Sequence, residues 1–215
     1  MRAPHPALCL LLVTLPAFAE EGFTPLFNGK DLSGWMSSGG SHEVVDGELR
    51  SRRGRASNVQ TMRDYGDFVL KFEFKLSPGA DNGLGIRMPP GGEAAYDGIE
   101  IQLVDESDPK RAGLKPEERT GSIYGVVAAK PGAAKPAGEW NAAQVTAKGS
   151  RITVAINGTE VIDADVADFR DGKKPTPDGR EHPGLGAKRG PIGFLSTGTE
   201  VSFRGIEIRR LDAAK

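Results

Sequence analysis

Hydrophobic residues recur at every second position along much of this chain. The clearest stretch is 67–76, where Phe68, Leu70, Phe72, Phe74 and Leu76 share one phase while Lys71, Glu73 and Lys75 share the other. Successive side chains of an extended backbone point to opposite faces, so the alternation predicts a half-buried strand. Residues 152–162 predict a hairpin, because Asn157–Gly158 lies between two β-rich runs and accepts the positive φ values of a type I′ turn. Residues 41–51 repeat the device around Asp46–Gly47, and Val201–Ile208 closes the chain with another alternating run. Outside the N-terminal twenty residues no apolar period of 3.6 is sustained. Many short strands with Gly-rich turns predict an all-β domain, a sandwich, jelly roll or barrel, and the lack of an internal repeat argues against a propeller.

Two stretches interrupt the pattern. Residues 128–138 are rich in Ala, Pro, Gly and Lys and read as a surface loop, since the sequence on either side is too short to divide into two domains. Residues 170–190 form a longer loop carrying Lys173, Lys174, Asp178, Arg180, His182, Lys188 and Arg189. Structureless loops beyond about 12–15 residues are usually functional or disordered, which makes this one a candidate lid. At the N-terminus, Arg2, the apolar run Leu8–Val13 and Ala17-Phe18-Ala19 make the three parts of a secretory signal peptide. Cleavage is expected after Ala19, leaving one exported domain over 20–215 and removing the only cysteine, Cys9. The run Ala7–Ala19 is too short for a membrane span, which needs about 20 residues.

The chain has 215 residues with 28 Lys+Arg against 29 Asp+Glu, so a formal charge of -1 offers no electrostatic case for nucleic acid or an anionic membrane. The cluster Arg50, Arg52, Arg53 and Arg55 follows the Asp46–Gly47 turn and reads as a solvated strand.

Candidate chemistry concentrates in 96–105. Ile99, Ile101 and Leu103 take the core phase, so Glu100 and Gln102 emerge together on the opposite face. A bulge after Gln102 would add Asp105 to that face, giving two carboxylates flanking an amide, a set suited to acid/base work on a sugar. Without the bulge, Asp105 points inward or ends the strand as a turn residue, and Glu100 and Gln102 form a solvated face. Residues 82–87 should be the neighbouring strand. Arg87 there either pairs with Glu100 or holds an oxyanion that develops on a substrate. Asn82, Tyr124, Trp140, Asn141 and His182 are the binding candidates: aromatic rings stack on sugars and amides hydrogen-bond them, although aromatics at strand ends also serve as core. His42 and His182 are far apart and no cysteine accompanies them, which argues against zinc. No cofactor is predicted; a divalent cation at Asp105-Glu-Ser-Asp108 competes with a solvated acidic turn. No nucleophile elbow, P-loop or dinucleotide fingerprint is present.

Several phrases, in order, resemble the 3-keto-disaccharide hydrolase domain family: Phe27-Asn-Gly-Lys-Asp-Leu-Ser-Gly-Trp35, Tyr96-Asp-Gly-Ile-Glu-Ile-Gln-Leu-Val-Asp105, Thr120-Gly-Ser-Ile-Tyr124, Gly138-Glu-Trp-Asn141, Asn157-Gly158 and Phe203-Arg-Gly-Ile206. The resemblance implies a concanavalin A-like jelly-roll sandwich of two antiparallel sheets, exported to the periplasm or secreted in bacteria, with carbohydrate as its partner. It also implies hydrolysis of glycosides oxidised at carbon 3. The strand with Glu100, Gln102 and Asp105 is similar to the E-x-D-x-x-E strand of laminarinase-like glycosidases, but Gln102 replaces the middle acid and Asp105 the terminal Glu. Likewise Asp81-Asn-Gly-Leu-Gly85 departs from the family's glycine-asparagine-serine-glycine phrase, and Leu195-Ser-Thr-Gly198 lacks the Gln and His of its late phrase. A ketone at carbon 3 acidifies the hydrogen on carbon 2, so one base and one oxyanion holder suffice for elimination followed by hydration. Glu100 or Asp105 would be the base, the other would serve the leaving oxygen or water, and Arg87 would hold the enolate. The alternatives are a non-catalytic lectin-like module and an ordinary glycosidase acting on unoxidised glycan.

Overall fold

A computed structural model describes residues 22–212, so the expected signal segment lies outside the described residues. Along the chain come β1 (Thr24–Pro25), β2 (Trp35–Ser37), β3 (His42–Val45), β4 (Glu48–Ser51), β5 (Val59–Thr61), β6 (Phe68–Leu76) and β7 (Asp81–Ile86). A one-turn helix, α1 (Ala94–Asp97), precedes β8 (Ile99–Val104), and β9 (Trp140–Lys148), β10 (Arg151–Ile156), β11 (Thr159–Asp165), β12 (Ile192–Phe194) and β13 (Val201–Arg210) follow. They form two antiparallel sheets. The larger runs β11-β10-β9-β6-β13-β4-β3 with β1 added against β13; the smaller runs β2-β5-β12-β7-β8.

The alternation read in 67–76 is the central strand of the larger sheet, with Phe68, Leu70, Phe72, Phe74 and Leu76 all buried. Asn157 and Gly158 take φ of 50° and 81° in the β10–β11 hairpin, and Asp46 and Gly47 take 53° and 80° between β3 and β4. Both are the left-handed values a type I′ turn requires. The sheets close on one aromatic cluster: Phe194 of the smaller sheet stacks on Phe203 of the larger at 4.1 Å and meets Phe72 edge-on at 5.4 Å. Trp35 stacks on the same Phe194 at 5.9 Å while its indole N–H donates to the Leu26 carbonyl. The fold is therefore the predicted all-β jelly-roll sandwich.

A polar seam also crosses the interior. The Asn82 amide donates to the Ser51 hydroxyl at 3.1 Å and its carbonyl accepts from the Thr197 N–H, while Ser51 donates to the Thr199 carbonyl. Beside Ser51 in the β3–β4 register sits His42, 4% exposed, with Nδ1 against the Ser41 hydroxyl at 2.9 Å and Nε2 buried without a partner. Burial pushes this imidazole down from 6.5 to about 4. The unfolded chain takes up that proton near 6.5 and the folded chain only near 4, so between these values the unfolded state binds more protons and stability falls as pH falls. At about 1.4 kcal/mol per pH unit, the loss reaches at most roughly 3 kcal/mol. Urea melts across this window are expected to show the slope in the parent and a flatter one in His42→Leu.

Candidate active site

The smaller sheet presents one face to the core and the other outward, and β7 and β8 build the site on the outer face. Their register is regular, pairing Gly85 with Glu100, Gly83 with Gln102 and Asp81 with Val104. With period two, Asp81, Gly83 and Gly85 face outward beside Glu100 and Gln102, while Asn82, Leu84 and Ile86 face the core. The glycines make room. A Cβ built on Gly83 would stand 2.4 Å from a carboxyl oxygen of Glu100, so the Glu100 side chain lies across a strand that offers it no obstruction. Gly83→Ala is expected to displace that carboxyl and cut turnover about 10- to 100-fold, since misplacement by an ångström costs on that order. Gly83 has no positive φ, so the thermal melt should stay close to the parent's.

Glu100 is half-buried, and its carboxyl makes no side-chain hydrogen bond or ion pair among the described residues. Burial, reinforced by the negative charges of Asp81 and Glu93, pushes it up from 4.5 to about 8. Asp81 is itself engaged, accepting from the Gln102 amide at 3.2 Å and pairing with Arg111 at 2.8 Å. The Gln102 carbonyl oxygen is buried without a partner. Tyr124 lies beside this group, its backbone N–H donating to the Glu100 carbonyl. Burial raises the Tyr124 phenol, and the charges of Glu118, Glu100 and Asp81 add to the effect.

The long loop reaches the same place. Its backbone is pinned by Asp178 N–H donating to the Gly125 carbonyl, where Gly125 holds φ of 71° and a Cβ would strike the Asp178 carboxylate at 2.5 Å. Asp178 sits 3.1 Å from His182 Nε2, and His182 Nδ1 lies 2.8 Å from the Ala95 carbonyl on α1. The His182 ring packs on Tyr96 at 5.0 Å, and the Arg180 guanidinium covers the other ring contact of Tyr96 at 3.9 Å while hydrogen-bonding its hydroxyl. Burial raises the Tyr96 phenol, and Arg180 acts against that rise. A desolvated carboxyl, two phenols and an exposed guanidinium thus share one face, held there by the 170–190 loop.

Several sequence candidates lie elsewhere. Asp105 is not brought round by a bulge: β8 ends at Val104, and the buried Asp105 carboxylate accepts from the Gly79 N–H and from the Ser107 N–H and hydroxyl. Burial alone would raise it, but these bonds hold it below its ordinary value. It is a turn residue. Arg87 does not face Glu100. It lies past the end of β7, 2% exposed, donating to the carbonyls of Gly66, Gly149 and Ala187 and to Asp67 at 3.1 Å. Asn82 belongs to the interior seam. Asn141 is fully buried, accepting from Lys135 N–H and the Asn157 amide. Trp140 sits on the larger sheet, its ring flanked by Lys75 at 4.6 Å and Arg204 at 4.0 Å. Only Glu100, Gln102, Tyr124 and His182 are brought together. Tyr96, Asp178 and Arg180 join them without having been named as site residues, although Tyr96 opens the strand phrase and the other two stood in the candidate lid. Among the described residues no group of three or more His, Asp or Glu is placed to hold a metal, and Asp108 spends a carboxylate oxygen on the Lys110 N–H.

A candidate glycosyl hydrolase from Parabacteroides distasonis superposes with a TM-score of 0.77 at 28% identity, covering 88% of this chain and 99% of its own. A carbohydrate-binding module from Bacillus subtilis shares the fold at a TM-score of 0.54 and 13% identity, covering 82% of this chain and 95% of its own. In sequence, a 3-keto-disaccharide hydrolase from Bacteroides thetaiotaomicron is 23% identical over 92% of this chain and 81% of its own length. Fold and relatives define a carbohydrate-active protein built on a lectin-like sandwich. More narrowly, the chain belongs to the family of the 3-keto-alpha-glucoside-1,2-lyase-like domain, whose model matches residues 22–209.

Proposed function

We propose that this protein hydrolyses 3-keto-glycosides by elimination and hydration, with Glu100 as the base. The observation that carries the reading is the half-buried Glu100 carboxyl, free of hydrogen bonds and pushed up to about 8 by burial, on an outer face shared with Tyr96, Tyr124 and Arg180. A carboxylate stripped of hydrogen bonds is a stronger base than a solvated one, which suits removal of a carbon-bound proton. Glu100 takes the hydrogen from carbon 2, and the released electron pair forms the carbon 2–carbon 3 double bond as the ketone oxygen becomes an enolate. Arg180, rather than Arg87, is the cation available to that enolate. Collapse of the enolate restores the ketone, forms the carbon 1–carbon 2 double bond and expels the glycosidic oxygen, which takes a proton from a phenol of Tyr96 or Tyr124. Water then adds to carbon 1, its hydroxyl bonding there and its other proton returning to the phenolate, while the enolate this regenerates takes the proton back from Glu100 at carbon 2 and restores the ketone. The family description as a 1,2-lyase and the hydrolase name of the Bacteroides relative support this order of events. Export from the cell, through the N-terminal segment ending at Ala19, is part of the same reading.

The test is to incubate the protein with matched 3-keto and unoxidised disaccharides and follow released sugar. Release from the keto substrate alone is expected, with kcat/KM rising with pH to a plateau above about 8. Release from the unoxidised sugar would mean an ordinary glycosidase. Binding without release from either, retained in Glu100→Gln, would mean a lectin-like module.

A further inference from the structure

Beside the Glu100 face, the chain between Phe169 and Gly186 borders a cleft of about 660 Å³ open to solvent, in the size range of small-ligand sites. Arg180 lines it while its guanidinium also stacks on Tyr96, so the cleft adjoins the proposed reaction site through one side chain. The wall includes the half-buried ring of Phe169 and the cations Arg170 and Lys174. The Lys174 ammonium is 5.8 Å from the Phe169 ring centre and 2.6 Å from Asp168. Arg170 makes no side-chain hydrogen bond or ion pair among the described residues, and its Nε–H is buried without an acceptor. Asp171 and Glu181 also face the space and are suited to accepting hydroxyl hydrogens. At the wall, Arg170, Lys174 and Arg180 stand against Asp171 and Glu181, an excess of one positive charge. An aromatic platform beside a guanidinium with an open Nε–H, partly offset by the nearby charge of Asp165, suits a sugar bearing an anionic substituent.

We infer that this cleft is a subsite for a sugar carrying a carboxylate or sulfate, which on the hydrolase reading is the leaving group of the substrate. Placement of that sugar relative to the broken bond rests on that reading, whereas its binding is measurable without turnover. The full chain is titrated calorimetrically with sodium glucuronate, glucose 6-sulfate and glucose at low and high ionic strength. An anionic sugar is expected to bind at least about tenfold more tightly than glucose, with the preference reduced by salt and the affinity reduced about tenfold in Arg170→Gln or Lys174→Gln. Lys174 is exposed, so its variant decides the matter if Arg170→Gln does not fold. Preference for glucuronate alone assigns a uronic acid, and for glucose 6-sulfate alone a sulfated sugar; preference for both assigns a general anion subsite. Equal affinity for all three sugars, no binding, or unchanged affinity in the folded variants overturns the inference. Anionic binding in a protein that releases nothing from any keto substrate would remove the hydrolase reading and leave the subsite standing.

Discussion

Glu100→Gln is expected to lower turnover of a 3-keto disaccharide by 10²–10⁴-fold, the usual contribution of a positioned general base, while making the folded protein more stable at alkaline pH. The two effects share one cause. In the unfolded chain the carboxyl ionises at 4.5, and in the folded chain burial and the charges of Asp81 and Glu93 delay ionisation to about 8. Between these values the folded state holds the proton that the unfolded state has lost, so stability falls as pH rises and is lowest above 8. The amide carries no such charge. Discounted for the partial exposure of the site, the variant should gain on the order of 2–3 kcal/mol above pH 8 and nothing below 4.5. Urea melts of parent and variant at the two extremes measure the difference. A gain in stability without loss of turnover would place the base elsewhere.

Arg87→Met is expected to destabilise the protein by about 3–5 kcal/mol, the cost of removing one partner from a buried, hydrogen-bonded charge. Its guanidinium joins the carbonyls of Gly66, Gly149 and Ala187 to Asp67, and Asp67 also accepts from the Gly149 N–H. Methionine fills much of the same volume but leaves those acceptors unpaired. Arg87→Lys should recover only part of the loss, because a point ammonium cannot span the fork. Arg87 also holds φ of 53°, a left-handed backbone that a non-glycine residue adopts at a cost and that its bonds secure. The folded fraction of either variant should retain the parent's kcat. A fall in kcat with an unchanged melt would instead put Arg87 in the chemistry.

The strands were legible because alternation and turn chemistry act locally. Phe68 to Leu76 alternate whatever else the chain does, and Asn157–Gly158 prefers its turn through backbone sterics alone. The Glu100/Gln102 face was legible for the same reason. Asp105 was not, since the direction of a residue at a strand end depends on whether a bulge intervenes, and here the Gly79 and Ser107 donors capture it first. Arg87 and Asn141 were misread because a polar side chain near a candidate site looks alike in sequence whether it faces a ligand or satisfies buried carbonyls.

Period-two patterning and positive-φ turns determine an all-β domain and set Glu100 opposite the core phase of its strand, and the ordered family phrases narrow that domain to a sandwich. Which groups surround Glu100 is a tertiary matter. Asp178, Arg180 and His182 follow it by about eighty residues, and they arrive beside Tyr96 and Tyr124 only because Gly125 and Ala95 accept and hold the loop. The elevated titration of Glu100 likewise depends on that neighbourhood, since desolvation belongs to the assembled surface and not to the residue type.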